Sequence, residues 1–227
     1  MPKHGKKYSG VKAKAPSEVL ELGAAVDFLK ANPVAKFDET VELCLKMGVD
    51  AKKSDNAIRS TCGLPHGTGK KVTVLVFAAG DAADAAREAG ADFVGNEDMI
   101  EKVKGGWVGF DVAIATPDAM KEVRKLGRVL GPRGLMPNPK TGTVTDDTAK
   151  AVNEARAGRV EFRMDRHANI NVPVGKLSFE AEKLVENIKT VIDAIRAAKP
   201  AGVRGTYIKN STLTSTMGVG LRVNIRD

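Results

Sequence analysis

Five hydroxyl side chains crowd the stretch NSTLTSTMGVG, where Ser211, Thr212, Thr214, Ser215 and Thr216 run into Met217-Gly218. Hydroxyls suit the ribose 2′-hydroxyl and the base edges of RNA, and a glycine admits close backbone approach. The same groups also satisfy an ordinary strand surface. At Lys36-Phe37 a ring follows a cation at the entrance of an alternating segment. Exposed, the pair offers a stacking surface beside a phosphate contact; the pattern alone favours the other fate, Phe37 in the core. A third stretch, GRVLGPRGLMPNPKTGTV from Gly127 to Val144, sets Arg128, Arg133 and Lys140 among four Gly and three Pro with no acid. Gly and Pro hold fixed turns, which a mere linker does not require, so this is a locally positive edge or a structured solubilising loop. The amino-terminal arm adds Lys3, Lys6, Lys7, Lys12 and Lys14 before the first acid, Glu18. It reads equally as a solvated tail and as a phosphate-contacting arm.

Charge supports a polyanionic partner. The net +8 is uneven: residues 67–158 carry 13 basic and 13 acidic side chains, whereas 1–66 carry 11 against 8 and 159–227 carry 12 against 7. Both ends are basic and the middle is neutral, a long-range attraction for nucleic acid. Enzyme signals are weak. PHGTGKK lacks the spacing of a phosphate-binding loop, with Leu64 where Gly is needed and Lys71 where Ser or Thr is needed. FAAGDAA lacks the glycines of a dinucleotide fingerprint. His4, His66 and His167 are scattered, and Cys44 and Cys62 have no partners at zinc-ligand spacing, so no metal, cofactor or catalytic residue is expected. No apolar run reaches a membrane span and no secretory leader is evident, so a cytoplasmic protein without membrane contact is expected. Two rivals stay open: an enzyme for a nucleotide or phosphorylated substrate in the middle segment, and a DNA-binding repressor, although no helix offers a convincing recognition face.

The elements that must position these residues fall into two grammars. From KVTVLVFAAG to DDTAKAVNEARAG, buried strand runs alternate with helices, including Asn96-capped NEDMIEKVKGG and a single helix DAMKEVRKLGRVLG. That order predicts a small parallel sheet covered by helices. The ends alternate with period two instead. In FDETVELCLKMGVD, Val41, Leu43, Leu45, Met47 and Val49 share one strand face, and a helix capped by Ser17 carries Val19, Leu22, Val26 and Leu29. RVEFRMD, ANINVPVGK, a long amphipathic helix and two further strands complete an α+β set. Neither end suffices alone. The reading is therefore a discontinuous two-layer α+β domain with an antiparallel sheet, residues 1–66 and 159–227, with a parallel α/β domain, 67–158, inserted at a hinge containing Gly67, Gly69 and Gly158.

GRVLGPRGLMPNPKTGTV, KFDETVEL, LPHGTGK, EFRMDRHANINVPVGK and TSTMG, in that chain, resemble the signature blocks of large-subunit ribosomal protein one (the L-one family), bacterial type. The resemblance implies a two-domain fold with a Rossmann-like insert and no catalytic activity. It implies partners too: the mobile stalk of large-subunit ribosomal RNA, exit-site tRNA, the messenger of the protein's own operon, and other large-subunit components, with the free protein a monomer. Carried over residue by residue, the RNA surface falls on Lys36, Phe37, Thr40, Thr214, Thr216, Met217 and Gly218, with Arg163, Asp165 and Lys176 beside them. Arg128, Arg133 and Lys140 become candidates for tRNA or a second RNA contact. RMDRHANINVPVG departs from the family's hairpin pattern, which leaves Arg166 and His167 without assigned contacts.

Overall fold

The computed structural model describes residues 5–51, 57–200, 203 and 205–225, so Lys3 and His4 lie outside the described residues. The chain divides into two compact units, Met1–Gly69 with Val160–Asp227, and Lys70–Arg159.

In the first unit, β1 (Thr40–Met47) is flanked on both sides by strands from far along the chain. Its neighbours are β7 (Asn169–Lys176) and β8 (Ile208–Ser215), both antiparallel, and β9 (Leu221–Arg222) follows β8 at the edge. Period-two alternation sends Val41, Leu43, Leu45 and Met47 to one face, where they meet Ile170, Val172, Val174 and Leu213. Two helices cover that face, α2 (Leu22–Ala31) and α8 (Ala181–Ala197). Helix α8 presents Leu184, Ile188, Val191, Ile192 and Ile195, the stripe expected of a 3.6-residue period, and each such side chain contributes about 1.5–3 kcal/mol on burial. The amino-terminal arm is helical, α1 (Lys6–Lys14), docked through Tyr8, Val11 and Ala15 with Lys6, Lys7, Lys12 and Lys14 outward. A separate two-stranded sheet pairs β2 (Arg59–Gly63) with β6 (Arg159–Arg163).

The second unit is a three-stranded parallel sheet in the order β4 (Phe93–Gly95), β3 (Val74–Phe77), β5 (Val112–Ala115). The centre strand β3 is buried along its whole length, as a run of four apolar residues requires. Helices α3 (Asp81–Glu88) and α7 (Thr148–Ala157) pack over Val74, Val76 and Ile114. Val103 of α4 (Glu97–Lys104), with Val123 and Leu126, packs over Leu75, Phe77 and Ala115 on the other face.

The fold class is the expected one, an antiparallel sheet and a separate parallel sheet, but four local expectations fail. The helix expected from Ser17 begins at Leu22, because Leu20 bridges Val223 in extended conformation and Val19 faces solvent. Asn96 stands at the expected cap, yet its side chain makes no capping bond. The helix expected over 118–131 breaks into α5 (Met120–Val123), a 3₁₀ turn and α6 (Gly127–Leu130). Strand β2 was not expected at all; RSTCG turns only Cys62 fully inward and carries no readable alternation.

Candidate nucleic-acid interface

At one end of the first unit's sheet, three turns converge. The residues before β1 form the first, Ser215–Gly218 after β8 the second, and Lys176–Ser178 after β7 the third, because Val41 pairs with Ser215 and Thr40 with Lys176. Thr216 closes onto the sheet: its N–H donates to the Thr40 carbonyl at 3.1 Å, and its Oγ1 accepts the Thr40 N–H at 2.9 Å. Lys176 Nζ donates to Thr40 Oγ1 at 2.9 Å. On this frame Phe37 is 57% exposed and Met217 55% exposed, two of the three large exposed hydrophobics among the described residues. The core reading of Phe37 is therefore wrong; the chain turns outward at Lys36-Phe37 and puts Glu39 inside instead.

Glu39 is fully buried and its carboxylate accepts four bonds. Oε1 takes the N–H groups of Val34 at 3.0 Å and Ala35 at 2.7 Å; Oε2 takes Ser215 Oγ at 2.6 Å and the Met217 N–H at 3.1 Å. Burial by itself raises its pKa, but the bonds from Ser215, Ala35, Met217 and Val34 outweigh it and hold the carboxyl below its ordinary value. Asp38 accepts the Ser178 N–H and Oγ at 3.1 and 2.8 Å. Asp38 and Glu39, the two acids of the turn before β1, are thus engaged with the protein, while Lys36 is exposed with no ion pair among the described residues. Gly218 has a steric reason: a Cβ there would lie 2.2 Å from Ser215 Oγ.

Lys36, Phe37, Thr40, Lys176, Thr216, Met217 and Gly218 come together here, with Thr214 opposite Glu42 on the adjoining sheet face. Arg163 and Asp165 do not. They flank the start of β7, whose Asn169 pairs with Lys46, six residues along β1 from Thr40 and so about 20 Å away. Asp165 builds its own turn, accepting the N–H groups of His167 at 2.8 Å and Asn169 at 2.7 Å; the bonds from Asn169 hold its pKa below the ordinary value. The hydroxyl crowd also divides. Ser211 and Ser215 point inward, to the Val223 carbonyl and to Glu39, whereas Thr212 and Thr214 face outward. Between the two ends lies a groove of about 220 Å³ lined by Cys44, Lys46, Asn169, Asn171, Asn210 and Thr212, none of which the family resemblance assigns to the RNA surface. Its signal was present in β1, whose polar face alternates with the core residues.

In the second unit the basic loop is well anchored. Leu130 and Thr141 are buried, Asn138 caps a 3₁₀ turn at Pro139–Thr141 through the Lys140 N–H at 2.9 Å, and Val144 bridges Ala115 of β5. Arg128, Arg133 and Lys140 stand exposed on it without an ion pair among the described residues.

The sequence pattern of the Ribosomal protein L1p/L10e family matches residues 29–219 of the 227. The chain belongs to that family. As an L1p/L10e protein it is a ribosomal protein of the large subunit, and the match takes in every candidate residue above except the amino-terminal lysines. No helix among the described residues is long and apolar enough to cross a membrane.

The glycines at the crossings of this L1p/L10e chain are tied down. The Gly67 carbonyl accepts Asn187 Nδ2 at 3.1 Å, and a Cβ on Gly69, whose φ is +73°, would lie 2.9 Å from Lys176 Cγ and Phe179 Cε1. Gly158, at φ +100°, ends α7 in the left-handed conformation, its N–H directed to the Ala155 and Glu154 carbonyls. Lys70 Nζ and the Thr73 N–H both donate to Asp111, which holds that carboxyl below its ordinary value.

Proposed function

We propose that this ribosomal protein binds the mobile stalk of large-subunit ribosomal RNA through the converged turns of its first unit, without catalysing a reaction. The observation that carries the reading is the pair of exposed side chains, Phe37 and Met217, held on turns whose acids are engaged internally and flanked by unpaired Lys36. Such a surface offers a ring and a thioether to sugar and base faces, and a cation to phosphate. Shape and hydroxyl contacts at Thr216 and Gly218 add specificity beyond charge. A contact of Arg128, Arg133 and Lys140 with exit-site tRNA or further RNA, a hinge at the two crossings, and assistance to release of deacylated tRNA extend the same reading. Because a messenger hairpin shaped like the stalk would occupy the same turns, the protein also represses its own operon once ribosomal sites are filled.

The test is affinity for a stalk fragment against an unrelated hairpin of equal length across a salt series. A preference for the stalk that survives high salt supports recognition beyond counterion release. Equal binding that fades equally with salt refutes it, and tight binding of a mononucleotide would point to an enzyme instead.

A further inference from the structure

An acid at the base of a site for a polyanion is electrostatically misplaced unless it does something else. Glu39 cannot contact a ligand: it is 0% exposed, and a carboxylate offers about four lone-pair positions, all of which are taken. The distribution of the four bonds is informative. Oε1 serves only the turn before Phe37, through Val34 and Ala35, and Oε2 serves only the turn that carries Met217, through Ser215 and Met217 itself.

Resting on the RNA reading above, we infer that Glu39 is the positioning residue of that site: one buried carboxylate ties the Phe37 turn to the Met217 turn and sets their spacing before RNA arrives. The two turns belong to segments 176 positions apart in sequence at Thr40 and Thr216, so local chain geometry cannot do this. Only a carboxylate serves. In Glu39→Gln one end of the side chain becomes an amide donor. If the amide nitrogen occupies the Oε2 position it meets the Met217 N–H donor to donor; if it occupies the Oε1 position it meets two donors, from Val34 and Ala35. Either way one turn loses its bond to the carboxylate, the Thr40–Thr216 bonds remaining, and RNA binding must then bear the population cost of restoring the spacing.

The experiment measures affinity of the full chain for the stalk fragment, thermal stability and salt slope for Phe37→Ala, Met217→Ala, Glu39→Gln and Ser215→Ala. The expected result is weakened binding by Phe37→Ala and Met217→Ala, and a dissociation constant raised about tenfold by Glu39→Gln, as when the competent arrangement falls to roughly a tenth of the folded molecules. The salt slope of Glu39→Gln should match the parent, since no phosphate contact is removed. The amide proton of Met217 should lose the downfield shift of a bond to carboxylate. A merely structural role lowers the melting temperature yet leaves the affinity of the folded protein unchanged. Parent affinity in Glu39→Gln, with Phe37→Ala and Met217→Ala impaired, overturns the inference and leaves the RNA site standing. Parent affinity in those two alanine variants overturns the site, and the inference with it. If Glu39→Gln fails to fold, Ser215→Ala decides, because it keeps the charge and removes one Oε2 bond: a several-fold loss supports the tie and parent affinity refutes it.

Discussion

Replacing Gly218 by Ala should change sign with the residue at position 215. In the parent, the new methyl would lie 2.2 Å from Ser215 Oγ but 3.4 Å from Ser215 Cβ, so the hydroxyl is the whole obstacle. No positive φ is involved, so backbone strain does not enter. To clear the methyl, Oγ must move by about 1 Å or rotate away, and its 2.6 Å bond to Glu39 is lost. A hydrogen bond to a charged group contributes about 1.5–3 kcal/mol. Gly→Ala returns about 0.4–1 kcal/mol by restricting the unfolded chain, which leaves a net loss of about 1–2 kcal/mol. In a Ser215→Ala background the obstacle and the bond are already gone, so the same Gly218→Ala should stabilise by that 0.4–1 kcal/mol. Urea denaturation of the four proteins closes the cycle. The single tryptophan, Trp107, packs against Phe93 in the second unit, whereas Tyr207 is buried in the first. Tyrosine signal should follow the mutations and tryptophan signal should not. Equal cost of Gly218→Ala in both backgrounds would show that the backbone yields and that the hydroxyl is not the obstacle.

Asn187 is buried and bonds the His66 N–H, the Gly67 carbonyl and the Val174 carbonyl, so Asn187→Leu should cost about 1–3 kcal/mol, with hydrogen exchange at His66 speeding up if the crossing is released. Acid should weaken the first unit in a defined direction: the folded pKa of Glu39 lies below its ordinary 4.5, so its contribution is complete above that value and disappears as pH falls through the folded one. Stability against pH for Glu39→Gln should lack that share of the slope; an unchanged slope refutes the assignment. Asp165→Ala should melt the 165–169 turn, seen as faster exchange at His167 and Asn169, while leaving stalk affinity nearly intact, because the turn is about 20 Å from Met217.

What the sequence revealed follows from how local each signal is. The alternation in β1 and the stripe of α8 are written in consecutive residues, and both survive folding. Phe37 misleads because hydrophobicity predicts burial only on average, and here the buried position of the turn goes to a charged residue whose partners lie at 34, 35, 215 and 217. No inspection of KFDET alone identifies those donors. Ser17 looked like a cap, but a tertiary bridge at Leu20 claims the chain first. The hydroxyls of NSTLTST were legible as a group, not as two sets facing opposite ways, since the register that separates them is set by β1.

Strand β1 lies between two strands that are made long after it. As the chain leaves a ribosome, Thr40 emerges 176 residues before Thr216, and at about 5–20 residues per second the delay is roughly 9–35 seconds. Until β7 follows, roughly 7–27 seconds after Thr40 for its partner Lys176 at the same rate, the most apolar strand of the first unit has neither neighbour, whereas Lys70–Arg159 holds all the strands and helices of its own sheet and is free to fold as soon as it is out. The inserted unit therefore matures first, and an unpaired β1 edge waits behind it. On that order of synthesis a nascent molecule of this protein has a finished middle and an unpaired amino-terminal strand, the stage at which chaperone capture or pairing between neighbouring chains on one messenger has its opportunity.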